Sequence, residues 1–200
     1  MERKKLESAA ANYVALRGLF WIPLGTLCIL AALGNWQWGP LRHAWVFIGA
    51  VLVVAAACIP INRFYNENYG RITPSTKQQL RGFVATIISV AVMVAGSFLL
   101  RSRASWSLDL PVNPIAASFG LLMLASYAIV AGLRTHHVVI WGGLLVAGLV
   151  PVWGGADPSN IGLVLAGLAG MTNGIFDHRL LVRTFASSER RAVENGDVGA

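Results

Sequence analysis

The chain has 200 residues, of which 56% are hydrophobic and only 12% charged, and its mean hydropathy is +0.61. A soluble globular domain carries about 25% charged residues, so a mainly water-faced globule is excluded and lipid is the implied solvent. The net charge of +7 is not gathered into a stripe; its cations sit at the edges of apolar runs, which argues against nucleic acid and for a bilayer.

The amino terminus, "MERKK", is basic, and Leu6, Ala9, Ala10 and Tyr13 follow at helical spacing. Residues 1–16 are therefore expected to form a cytoplasmic amphipathic segment on the inner membrane surface. The first apolar run, "GLFWIPLGTLCILAAL", starts late and ends without a small-x-small cleavage site. It reads as a retained transmembrane helix rather than a signal peptide.

About 20 apolar residues cross a hydrocarbon core, and six such runs occur, at about 17–36, 43–61, 80–100, 114–133, 137–154 and 160–177. The expected fold is all-α: one polytopic bundle of six transmembrane helices over 17–185, followed by a disordered cytoplasmic tail at 186–200. With the amino terminus inside, thirteen of the sixteen Lys and Arg residues fall on the cytoplasmic side and three, Arg42, Arg101 and Arg103, on the other. That asymmetry predicts both termini in the cytoplasm of a bacterial cell, with the protein multi-pass in the inner membrane. Trp36, Trp38, Trp45, Trp106 and Trp153 fall at the expected outer interface, and Trp21 and Trp141 at the inner one. Two tryptophan belts suit that topology.

Between spans two and three lies the polar stretch "INRFYNENYGRITPSTKQQLRG". Thr73 and Pro74 have the chemistry of an N-cap and a first helical residue. The preceding "RFYNENYGRI" reads as a cationic connector whose Phe64, Tyr65 and Tyr69 settle at the interface. The alternative is a docking surface for a cytoplasmic partner, built on Arg63, Tyr65, Tyr69, Gly70 and Arg71. Cys28 and Cys58 sit inside apolar runs and read as small packing residues.

In span six, Gly162, Ala166, Gly170 and Gly174 recur every fourth residue, and span five supplies Gly142, Gly143, Ala147 and Gly148. Small residues let helix backbones approach in lipid, so spans five and six are expected to form a tight antiparallel hairpin. A homodimer seam is the alternative use of the same face. Folding that hairpin about residue 156 or 157 brings Asp177 and His178 level with His136 and His137, near Arg134. Leu180 and Leu181 occupy the local positions where a cation could meet Asp177, so its partner is expected on another helix. A hairpin clasp is the plain reading of the cluster; a metal site or a pH-sensitive switch is the sharper one. No H-x-x-x-H spacing accompanies it, and neither a metal nor any other cofactor is expected. No Asp, Glu, Lys or Arg occupies the central turns of any span. Asn173 is the notable polar group at depth, and an interhelical hydrogen bond is its expected use.

"RFYNENYGRITPS" together with "GIFDHRLLVRTF" resembles an uncharacterised family of small six-span bacterial integral membrane proteins. Members carry an Arg-aromatic-Tyr-x3-aromatic-Gly-Arg inner loop and a last span ending in Gly-x2-Asp-His-x-Leu-Leu-x-Arg, and look to be encoded often beside winged-helix regulators. The resemblance implies no catalytic residue; it singles out Arg63, Tyr65, Gly70, Arg71, Asp177 and His178 on the cytoplasmic face. The expected function is non-enzymatic: a partner-binding or membrane-sensing subunit. The alternative is a small permease or channel for an uncharged or weakly polar solute.

Overall fold

A computed structural model describes residues 13–69, 80, 84, 112–130, 132–150 and 158–194. The described residues are helical and contain no strand. After a helical turn at Tyr13–Leu16 (α1) and a 3-10 turn at Gly18–Phe20, the main helices are α2 (Trp21–Asn35), α3 (Ala44–Ala56), α4 (Cys58–Tyr69), α5 (Pro114–Val130), α6 (Thr135–Leu149) and α7 (Pro158–Glu194). Three stretches are long and apolar enough to cross a membrane, Gly18–Asn35, Ala44–Tyr69 and Ser159–Phe185, while α5 and α6 are shorter apolar helices. Apolar helices of this length mark a membrane protein. The expected third span, 80–100, lies outside the described residues apart from Leu80 and Val84, both helical. Gly70 and Arg71, the Thr73–Pro74 cap, and Trp106 and Trp153 also lie outside them.

Three local features set the helix boundaries. Pro60 has no N–H to offer the carbonyl four residues earlier, and the chain breaks just ahead of it, between α3 and α4. There the Ala57 N–H is shared between the Val53 and Val54 carbonyls at 3.1 and 3.2 Å. Asn113 caps α5, its Oδ1 accepting the Ala116 N–H at 3.1 Å, with Pro114 in the first helical position, where a missing N–H costs nothing. Gly132, at φ +78°, turns the chain between α5 and α6; this left-handed conformation suits glycine best.

Several expectations change. The segment 63–69 is not a connector: α4 carries the helix through Tyr69, so Ala44–Tyr69 is about 39 Å long against a hydrocarbon core of about 30 Å. Residues 186–194 continue α7 as helix where a disordered tail was expected. Tyr13 and Leu16 are buried against protein rather than spread on a membrane surface. Trp21 and Trp141 do not form an inner belt; their rings pack 5.6 Å apart, and Trp141 is fully buried. At the other end Trp36, Trp38 and Trp45 are exposed, Trp45 by 85%.

The small-residue face of α7 is used, but chiefly against a different partner. A Cβ on Gly167 would lie 2.5 Å from the Gly25 carbonyl oxygen, and Gly18 and Gly174 oppose each other's backbone. Thus α2, not α6, makes the tightest approach to α7. Gly162 abuts the Asn113 side chain, Gly170 faces the Trp21 ring, and Ala166 belongs to the core with Trp141, Tyr127 and Met123. On α6 and its partner α5, Gly148 lies against Ala117 and Gly120 against Trp141 and Leu145, while a Cβ added to Gly142 or Gly143 would meet nothing within 4 Å. The end of α2 is tied to the start of α7 by Asn35 Nδ2 donating to Asn160 Oδ1 at 2.7 Å.

Candidate functional site

The polar motifs converge on two side-chain networks that meet at the neighbouring residues Asp177 and His178 of α7. Consecutive helix positions point about 100° apart, so each faces a different set of helices.

Asp177 is fully buried. A carboxylate in that position must be hydrogen-bonded, because an unpartnered buried charge costs several kcal/mol. Its Oδ1 lies 2.9 Å from His136 Nε2 and 3.0 Å from His137 Nε2. Its Oδ2 accepts the Tyr127 hydroxyl at 2.9 Å and Asn173 Nδ2 at 2.9 Å. Asn173 Nδ2 also donates to the Tyr127 oxygen at 2.6 Å, so the expected interhelical bond of Asn173 is present. The network joins α5, α6 and α7.

The start of α6 selects the tautomer of His137. The Arg134 backbone N–H donates to His137 Nδ1 at 3.3 Å, in the manner of a third-residue side chain reaching back to the N-cap. Nδ1 is then an acceptor, which places the proton on Nε2, aimed at Asp177. The His137 ring stacks on Tyr127 with centroids 3.8 Å apart. His137 is buried, whereas the His136 side chain retains 21% exposure and packs beside Phe176. The three residues His136, His137 and Asp177 place one ligand atom each within 4.8 Å of one another.

His178 turns away from this trio, against the expectation that it would join it. Its Nδ1 lies 3.1 Å from the Tyr65 hydroxyl, which also accepts the Leu19 N–H at 3.1 Å. Tyr65 is fully buried rather than settled at an interface. The Tyr13 hydroxyl donates to the Tyr65 carbonyl at 3.1 Å; burial raises the Tyr13 phenol above its ordinary pKa, against the pull of Arg17. The Arg17 guanidinium lies over the Phe20 and Tyr65 rings, 4.8 and 5.0 Å from their centroids. It also donates to Asn62 Oδ1 at 2.6 Å. Tyr69 packs edge-on to Phe185. The second network therefore joins the amino-terminal segment, α4 and α7.

Of the residues singled out in the sequence, Tyr65, Tyr69, His136, His137, Asp177 and His178 take part in these two networks, and Arg63 is exposed on α4. Tyr127 and Arg17 were not singled out as site residues. Tyr127 had a usable signal: it lies toward the carboxyl end of its apolar run, as Asp177 does. Arg17 had none, since its partner Tyr65 comes from 48 residues further along the chain. Chemically, the first network can hold a charge, orient an imidazole or ligate a cation; the second is a stacked cationic-aromatic mount. No protein-family model matches the chain, and no curated protein or solved structure shows significant similarity to it.

Proposed function

We propose that the chain is a six-span, non-enzymatic membrane protein of the bacterial inner membrane, with both termini in the cytoplasm, acting through its cytoplasmic face as a partner-binding or membrane-sensing subunit. It would belong with the small six-span proteins that its two inner motifs resemble. One observation carries the reading: the Asp177–His178 pair ties both polar networks together at a single end of the bundle. Around that end stand exposed Arg63, Glu67 and Asn68 on α4 and exposed Arg179 and Arg183 on α7. Fixed buried polar groups beneath a charged rim are what a docking surface needs, since preorganisation lowers the ordering cost of binding. Arg179 and Arg183 also suit phosphate headgroups or an acidic partner. The permease alternative gains less support, because the middle of the described bundle is filled by the Trp21–Trp141 pair, Ala166 and the Gly25–Gly167 approach.

The test is co-purification from native membranes in mild detergent, comparing the intact protein with an Arg63→Ala, Arg179→Ala, Arg183→Ala variant of equal membrane insertion. A stoichiometric partner lost from the variant supports docking. If the intact protein holds no partner and shows no preference for anionic vesicles, the reading fails, and solute flux in liposomes becomes the next measurement.

A further inference from the structure

We propose that His136, His137 and Asp177 form a binding site for a borderline divalent transition metal of the zinc type. Two imidazoles and one carboxylate favour such an ion over calcium or magnesium, which prefer all-oxygen shells. Their ligand atoms already lie within 4.8 Å of one another. Tetrahedral zinc, with bonds of about 2.0–2.2 Å, needs ligand separations of about 3.3 Å. The two Nε2–Oδ1 distances, 2.9 and 3.0 Å, fall a few tenths short, and the imidazole nitrogens lie within 4.8 Å of each other, so both rings must swing to close around the ion.

The surroundings are those of a supported ligand. Tyr127 and Asn173 hold Asp177 Oδ2 from behind, leaving Oδ1 directed at both imidazoles. Such outer hydrogen bonds orient ligands and sharpen affinity. The partly exposed His136 provides access, and three protein ligands leave a fourth position for water. Ligation replaces the two Nε2–Oδ1 hydrogen bonds with metal bonds and has one further local consequence. His137 must carry its proton on Nδ1 rather than Nε2, which sets it against the Arg134 N–H and releases that 3.3 Å bond. Three hydrogen bonds are thus given up in exchange for three metal–ligand bonds. Metal loading thereby loosens the start of α6. The site does not depend on the docking reading, and a failure of one leaves the other standing.

The full chain, purified in detergent and stripped with chelator, is titrated with zinc by calorimetry and with cobalt(II) by its visible absorption. One zinc per chain and tetrahedral cobalt bands are expected. His136→Gln should weaken both at least about tenfold, and His178→Gln, whose imidazole faces Tyr65, should leave both unchanged. The proposal is overturned if the intact protein takes up no stoichiometric zinc, if His136→Gln binds as tightly as the parent, or if His178→Gln loses as much. The intact-protein titration decides alone should a variant fail to insert.

Discussion

Replacing Tyr127 with Phe removes one oxygen and little else, which makes it a direct test of what the Asp177 network contributes. The ring keeps its stack on His137, 3.8 Å between centroids. What is lost is a hydroxyl donor to Asp177 Oδ2 at 2.9 Å and an acceptor for Asn173 Nδ2 at 2.6 Å. A hydrogen bond to a charged group contributes about 1.5–3 kcal/mol in soluble proteins. Interhelical bonds in a membrane average only about 0.6 and reach about 1.7 kcal/mol. Asn173 retains its second bond, to Asp177, so its share of the loss is small. The buried carboxylate places the Tyr127 bond near the upper membrane figure, and the expected cost is about 2 kcal/mol, or about thirtyfold in the folding equilibrium. Reversible unfolding in mixed micelles, followed by far-ultraviolet circular dichroism, measures it. In an Asp177→Asn background the same substitution should cost about 1 kcal/mol less, because the charge has gone. A cost below about 0.5 kcal/mol with no such coupling would refute the network as a stabilising unit.

Other predictions rest on different contacts. Gly167→Leu drives a side chain into the Gly25 backbone and should destabilise by about 3 kcal/mol or more, since backbone cannot give way as a rotamer can. Gly143→Ala, with open space around it, should change stability by less than about 1 kcal/mol; equal losses in the two unfolding curves would contradict the assigned α2–α7 seam. Arg17→Gln keeps a donor for Asn62 but gives up the charge over Phe20 and Tyr65, with an expected loss of about 1–2 kcal/mol in thermal unfolding. For topology, with Cys28 and Cys58 replaced by Ala, an impermeant maleimide should label His43→Cys in intact cells and Glu67→Cys only after lysis; the reverse pattern would invert the bundle.

Where sequence reasoning succeeded, it used chain geometry that a helix cannot evade. Asp177 had no local cation at the right spacing, and counting back through the hairpin brings it level with His136 and His137, where its hydrogen bonds are found. His178 could not be placed that way, because a one-residue step turns it toward helices whose position the hairpin does not determine. The small-residue stripe of α7 was assigned to α6, yet Gly174 meets the turn before α2, and Gly167, one residue off that stripe, meets Gly25 of α2. Small-residue spacing encodes the distance of approach and leaves the partner open. Aromatics were the main source of error. Tyr65, Trp21 and Trp141 lie near span ends, where headgroups and protein compete for the same amphipathic rings, and here the protein holds them. Tyr65 has hydrogen bonds waiting from Leu19 and with His178 that a membrane interface would have to match. The polarity of 63–69 masked a helix for a related reason, since a span about 39 Å long must end in water-compatible residues.

Two anchors on adjacent residues of one helix do more than two anchors on one face. A helix held along a single stripe can still roll about that stripe, or ratchet along it by a turn of about 5.4 Å. With Asp177 gripped from one side and His178 from another, α7 behaves like a keyed shaft: rolling toward either lock opens the other, and sliding opens both. No screw motion is therefore available to α7 at this end of the bundle. A displacement here must either bend this helix beyond its locked section or carry both locks, with the helices they grip, as a single block.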